Sequence, residues 1–167
     1  GVNESNPAPW LVVGAGAWGS ALALKLAQTG VPVRLWARDA AAVAALHASG
    51  ENVPYLPGIH FPACVRTYSE LEVAAHGVSN VLIATPTAAF GAMLSVLAEH
   101  IEKPRIAWAC KGFERGRGRL LHTVVAQRLG NDVPCAVISG PTFAAEVAAG
   151  LPSAAVVAGH DASFVEA

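Results

Sequence analysis

Charge is scarce in this sequence and evenly signed. Of 167 residues only 14% are charged, with Lys plus Arg at 11 and Asp plus Glu at 12, a formal net charge of −1. A general nucleic-acid binder carries a basic excess or stripe, so no nucleic-acid partner is expected. Cysteine is scarcer still: Cys64, Cys110 and Cys135 are odd in number, far apart, and form no CxxC. That argues against a disulfide framework and reads as reduced and cytoplasmic. The six histidines make no HxxxH or HExxH, so no metal site is expected. No apolar run approaches the ~20 residues of a membrane-spanning helix. The opening stretch, Gly1 to Pro9, is polar and lacks the basic-then-apolar order of a secretory signal; it reads as an N-terminal tail. Apolar residues are what the chain has in quantity, at 53%. With so little charge, residues 10–167 are expected to form one folded domain with a sizeable core.

Short apolar strands alternate with helical stretches. Trp10-Leu11-Val12-Val13 is a continuous apolar run ending at Gly14, as expected of a strand buried on both faces. Ala17 to Gln28 reads as a helix stopped at Thr29-Gly30, Val33 to Ala37 as a strand, and Ala40 to Ala48 as a helix capped by Asp39. Glu51 to Pro62, with three prolines, reads as an ordered loop. Beyond it, strands are expected at Val65–Tyr68, Val78–Ala84, Ile106–Ala109, Val133–Ser139 and Ala154–Ala158. Helices are expected at Ser69–Ala75, from Pro86 to His100, near Leu120–Leu129, and at Thr142–Ala149. This βαβαβ order predicts an α/β fold with a doubly wound, mostly parallel, Rossmann-like sheet.

Gly14-Ala15-Gly16-Ala17-Trp18-Gly19 is a complete GxGxxG between a strand and a helix. Gly14 permits the tight turn, Gly16 lets the backbone approach a pyrophosphate, and Gly19 lets helix pack on strand. The N–H groups and dipole of the helix from Ala17 would hold the anion. A dinucleotide site fits this context better than a turn kept only for packing. At the end of the second strand Arg38 stands where an NAD-specific site would place an acid. Arg38 can meet a 2′-phosphate, which favours NADPH, with NADH as second candidate. Asp39 has two readings, a helix cap only or a partner of the ribose.

Two later stretches carry chemistry. Lys111, in Trp108-Ala109-Cys110-Lys111-Gly112, is the only one of three lysines to emerge from a strand. A cation there can stabilise charge on a substrate oxygen, or simply reach solvent from a loop. Ser139-Gly140-Pro141-Thr142-Phe143-Ala144 repeats the turn-and-cap logic, with N–H groups at Gly140, Thr142 and Ala144 available to a polar ligand. Thr85-Pro86 is a weaker candidate for the nicotinamide side.

Taken in order, GAGAWGSALA, LWARD, the YLPGI loop, CKGFE and SGPTFAAEVAAGLPSAAVVAG resemble the N-terminal domain of bacterial NAD(P)-dependent glycerol-3-phosphate dehydrogenases, from about Trp10 to Gly159. The resemblance implies an oxidoreductase interconverting dihydroxyacetone phosphate and sn-glycerol 3-phosphate, feeding phospholipid synthesis in the cytoplasm. Carried over by position, Ala17, Trp18, Arg38, Lys111 and Ala144 contact the nicotinamide cofactor, and Lys111, Gly140 and Thr142 the substrate. Ala17 departs from the family's usual Ser, so a backbone contact survives there but a hydroxyl contact does not. The family's proton-donating Lys lies in a mostly helical C-terminal substrate domain. This chain stops before it, at the apparent opening of a helix in Asp161–Ala167, so a cofactor-binding fragment with no catalytic residue of its own and little turnover is expected. A homodimer of the full-length protein is a further expectation. Two rivals remain at this stage: another NADPH-dependent reductase, of ketopantoate or 6-phosphogluconate type, and a non-catalytic nucleotide-sensing module.

Overall fold

The computed structural model describes residues 8–52, 58–85, 87–111, 125–127, 135–140 and 156–159. Seven strands form one sheet: β1 (Trp10–Val13), β2 (Val33–Trp36), β3 (Val65–Tyr68), β4 (Asn80–Ile83), β5 (Arg105–Lys111), β6 (Cys135–Gly140) and β7 (Val156–Gly159). Four helices connect them: α1 (Ala17–Gln28), α2 (Ala40–Ser49), α3 (Leu71–Ala75) and α4 (Thr87–His100). The spatial order is β3-β2-β1-β4-β5-β6-β7. The first six strands pair in parallel, and β7 alone runs antiparallel, against β6. The order therefore reverses at β1, and the crevice beside it is where open α/β sheets bind ligands.

The apolar runs are strands because they are covered on both faces. Successive side chains of a strand point to opposite sides, and the buried residues divide accordingly. Leu11, Val13, Val81, Ile83, Ile106 and Trp108 pack with Ala74 and Ala75 of α3 and Met93, Leu94 and Leu97 of α4. Val12, Leu82, Ala107, Val33 and Leu35 pack on the other side with Ala23 and Ala27 of α1 and Leu46 of α2. Small residues on α1 let that helix lie close to the sheet: Ser20, Ala21 and Ala23 are fully buried. Val125, in the helical residues 125–127, joins the first cluster.

Several element limits differ from the sequence reading for identifiable reasons. The helix expected from Ser69 begins at Leu71, because Ser69 O accepts the Trp36 indole N–H at 3.1 Å and Glu70 is an extended cap. The strand expected from Val78 begins at Asn80, since the Val78 N–H is held in a turn by Ala75 O at 3.1 Å. Strand β5 is longer than expected and takes in Lys111 as its last residue, because β6 pairs with it to the end. The helix expected at Thr142–Ala149 lies outside the described residues. Of the one expected near Leu120–Leu129, residues 125–127 are described and helical.

Candidate functional site

The glycine loop is shaped by three different demands. Gly14 has φ +111°, a region L side chains rarely adopt, and its N–H donates to Trp36 O at 2.8 Å, carrying β1 past β2 into the turn. A Cβ on Gly19 would stand 2.0 Å from Gly14 O and 3.1 Å from the Ala84 Cβ. Only a glycine lets α1 begin that close to the end of β1. Gly16 has no atom within 4 Å of where a Cβ would be, so the backbone here borders open space. As N-cap of α1 it provides no side-chain cap, which leaves the first-turn N–H groups without an internal acceptor from that position.

Beside the loop lies a cavity of about 340 Å³, bordered by Ala15 and Gly16, by Arg38 after β2, by Val43 and Leu46 of α2, and by Asn52. Its size is that of a small ligand pocket, and its wall joins an apolar helix face to Arg38, with the acids Asp39 and Glu51 also at its border. Arg38 is exposed, available to a ligand anion rather than engaged in the core. Asp39 follows Arg38 as the N-cap of α2. Its Oδ1 accepts from Ala41 N at 2.9 Å and Ala42 N at 3.3 Å, so its carboxylate serves as the α2 cap.

Farther along the same edge, Lys111 and Gly140 are register partners at the carboxyl ends of β5 and β6. Ile83 of β4 pairs with Trp108, so Lys111 stands three residues beyond the level at which β4 ends. Three residues of strand are about 10 Å. The structure thus brings two of the sequence-derived substrate residues side by side, above the rest of the edge. The third, Thr142, and the cofactor candidate Ala144 lie outside the described residues. The backbone of Ala17 and Trp18 forms the first turn of α1.

A dinucleotide can be tested against these residues without any ligand present. The cradle at Gly16 is open where a pyrophosphate would approach, the cavity offers an apolar wall of the kind an adenosine needs, and Arg38 follows β2 beside it. The Thr85 hydroxyl, at the end of β4 and packed against Gly14, is buried without a hydrogen-bond partner among the described residues. Such a group costs about 1–3 kcal/mol unless something satisfies it, and it lies at the loop where a dinucleotide would pass. The residues fit.

Sequence reasoning missed Asn52 and Ser20. The Asn52 Nδ2 donates to Ala15 O and to Ser20 Oγ, both at 2.8 Å, and both residues are buried. No local pattern announces a bond between residues 32 positions apart. The faint signal available was a polar residue at the edge of the proline-rich loop, too generic to single out.

Sheet order, the reversal at β1 and the open glycine cradle place the chain among dinucleotide-binding domains of the Rossmann type. Comparison with known proteins narrows the class. Residues 10–165 match the family described as NAD-dependent glycerol-3-phosphate dehydrogenase N-terminus, and the chain belongs to that family. Among curated relatives, glycerol-3-phosphate dehydrogenase [NAD(P)+] of Edwardsiella ictaluri is 47% identical over 156 residues, 93% of this chain and 46% of that protein. Among solved structures, glycerol-3-phosphate dehydrogenase from Coxiella burnetii superposes with a TM-score of 0.87 at 44% identity, over 96% of this chain and 49% of that one. The enzyme GPD1 of Saccharomyces cerevisiae follows at 0.79 and 27% identity, over 93% and 48%. The chain spans about half the length of the relatives it matches.

Proposed function

We propose that this chain is the cofactor-binding part of an enzyme that interconverts dihydroxyacetone phosphate and sn-glycerol 3-phosphate, with NADPH preferred over NADH. The observation that carries the reading is the open cradle at Gly16, at the reversal point of the sheet, in a chain of this family. In this reading Gly14, Gly16 and Gly19 shape the loop, and Ala17 and Trp18 offer first-turn N–H groups to the pyrophosphate. Arg38 meets the 2′-phosphate, and Lys111 and Ala144 border the nicotinamide. Lys111, Gly140 and Thr142 hold the substrate. A bound reduced nicotinamide supplies the hydride to the carbonyl carbon. Lys111 stabilises negative charge growing on the carbonyl oxygen. The proton for that oxygen is assigned to no residue of these 167, so the chain by itself binds cofactor and turns over little substrate. The same reading puts the full-length protein in the cytoplasm, as a homodimer, supplying a precursor of phospholipids.

Calorimetric titration with NADPH and with NADH at one salt concentration tests it. Tighter NADPH binding, weakened about tenfold or more by Arg38→Ala while NADH binding holds, is the expected result. Equal affinities would remove the case for Arg38. Binding of neither dinucleotide by the folded protein would overturn the reading.

A further inference from the structure

A buried amide side chain at the loop has no part in that account. Asn52 is 7% exposed, and its Nδ2 spends both hydrogens on the glycine loop: one on Ala15 O, one on Ser20 Oγ. Ser20 is itself fully buried, and its N–H donates to Gly16 O at 2.9 Å. The two ends of the segment from Ala15 to Ser20 are therefore tied to one amide nitrogen. Between them lie Gly16, Ala17, Trp18 and Gly19.

The bond to Ala15 O has a specific consequence. A trans peptide is planar, with its C=O and the following N–H pointing in opposite directions. Fixing the Ala15 carbonyl toward Asn52 therefore fixes the Gly16 N–H away from it. Gly16 has no side chain, and nothing stands within 4 Å of where its Cβ would be, so beside the Ser20 N–H on its own carbonyl the Ala15 bond is what orients its N–H. The residues just before Asn52 are tied down in turn. The Phe61 N–H donates to Gly50 O at 2.8 Å, Glu51 and His60 form a bridge, and the Glu51 carboxylate takes His60 Nε2 at 2.9 Å and the Gly58 N–H at 3.3 Å. The connection after α2 is thus closed at its base, with Asn52 at the closure.

We propose that Asn52 is a positioning residue for dinucleotide binding, which presets the glycine loop through Ala15 and Ser20 so that its N–H groups meet a pyrophosphate without reordering. The inference rests on the proposed function above, since it concerns the same loop. With both Nδ2 hydrogens on the loop, that nitrogen has none left for a ligand, and the effect is transmitted through the backbone.

The test compares two ligands that use different parts of the site: NADPH, which has a pyrophosphate, and adenosine 2′-monophosphate, which has none. Titrations on the wild type, Asn52→Ala, Asn52→Asp and Ser20→Ala are run well below the lowest melting temperature, so that every protein is folded. Asn52→Ala is expected to weaken NADPH by about tenfold and Asn52→Asp by more, since a carboxylate faces the Ala15 carbonyl without a proton to donate. Ser20→Ala, which spares the Ala15 bond, is expected to fall between them and the wild type. Adenosine 2′-monophosphate, whose cavity Asn52 borders, should lose less than NADPH in the Asn52 variants, and should stay within about twofold in Ser20→Ala, since Ser20 does not border the cavity. A merely structural role would lower melting temperatures and scale both ligands alike. Should Asn52→Asp fail to fold, Asn52→Ala and Ser20→Ala make the same comparison. Wild-type NADPH affinity in Asn52→Ala, or equal losses for both ligands, would overturn the inference alone. A wild type that binds neither NADPH nor NADH would overturn the proposed function, and this inference with it.

Discussion

Gly16 and Gly19 stand three positions apart in one motif, yet they serve different ends, and a pair of alanine substitutions separates them. In Gly19→Ala the new methyl carbon would sit 2.0 Å from Gly14 O. An ordinary carbon–oxygen contact is about 3.3 Å, so about 1.3 Å must be found by moving backbone. Neither side can yield easily. The Gly14 N–H is tied to Trp36 O at 2.8 Å, a Cβ on Gly14 would itself meet the Ala84 backbone at 3.1 Å, and α1 is pressed to the sheet by its buried alanines. A clash against backbone belongs at the upper end of overpacking costs, about 3 kcal/mol. For a chain of this size that lowers the melting temperature by about 6–12 °C. Gly16→Ala meets nothing within 4 Å and keeps an extended backbone, φ −73° and ψ −172°. Loss of a fair N-cap and gain in unfolded-state entropy roughly cancel, so stability stays within about 1 kcal/mol. Its methyl stands where the pyrophosphate would approach, and NADPH affinity should fall more than about tenfold. Thermal melts and NADPH titrations on both variants give the answer. A Gly16→Ala protein that binds NADPH like the wild type would refute the cradle. A Gly19→Ala protein that melts like the wild type would refute the packing argument.

The other expectations are shorter. Asp39→Ala should cost about 1 kcal/mol by removing the α2 cap, Asp39→Asn should restore it, and neither should change the preference between NADPH and NADH. A selective change in NADH affinity on thermal-shift-matched protein would instead assign the carboxylate to a ribose. In the full-length protein, Arg38→Ala should act on cofactor affinity and Lys111→Met on the rate of triose phosphate reduction. The free-energy effects on kcat/KM should add in the double variant, and coupling beyond about 0.5 kcal/mol would contradict the separation of the two residues.

The sheet was legible because each of its central strands is covered on both faces. That makes runs such as Leu11-Val12-Val13 and Val81-Leu82-Ile83 apolar without alternation, and few other settings produce such short apolar runs between helical stretches. The glycine loop was legible for a similar reason: close packing at Gly19 and the positive φ of Gly14 admit little else, so the constraint is written into the residue types. What the sequence hid depends on contacts between distant segments. The start of α3 is set by an indole 33 positions earlier, and the clamp on the loop by an asparagine 37 positions later. The direction of β7 was hidden too, because a strand's own residues scarcely record which way its neighbour runs.

The level of the strand ends along the carboxyl edge orders the site. Strands β1, β2, β4 and β5 share one level at Val13, Trp36, Ile83 and Trp108, but β5 continues to Lys111 with β6 beside it. From β2, which leads to Arg38, to β5 is three strand spacings, about 14 Å, before the overhang is added. A three-carbon phosphate is far too short to reach from one to the other. A dinucleotide laid across β1 would join them, with its adenosine in the cavity against α2 and its pyrophosphate over Gly16. Its reactive end would then arrive beneath the overhang where Lys111 and Gly140 meet. In the proposed reading the half-sites for cofactor choice and for chemistry are thus kept apart by the width of the sheet itself, with the glycine loop between them.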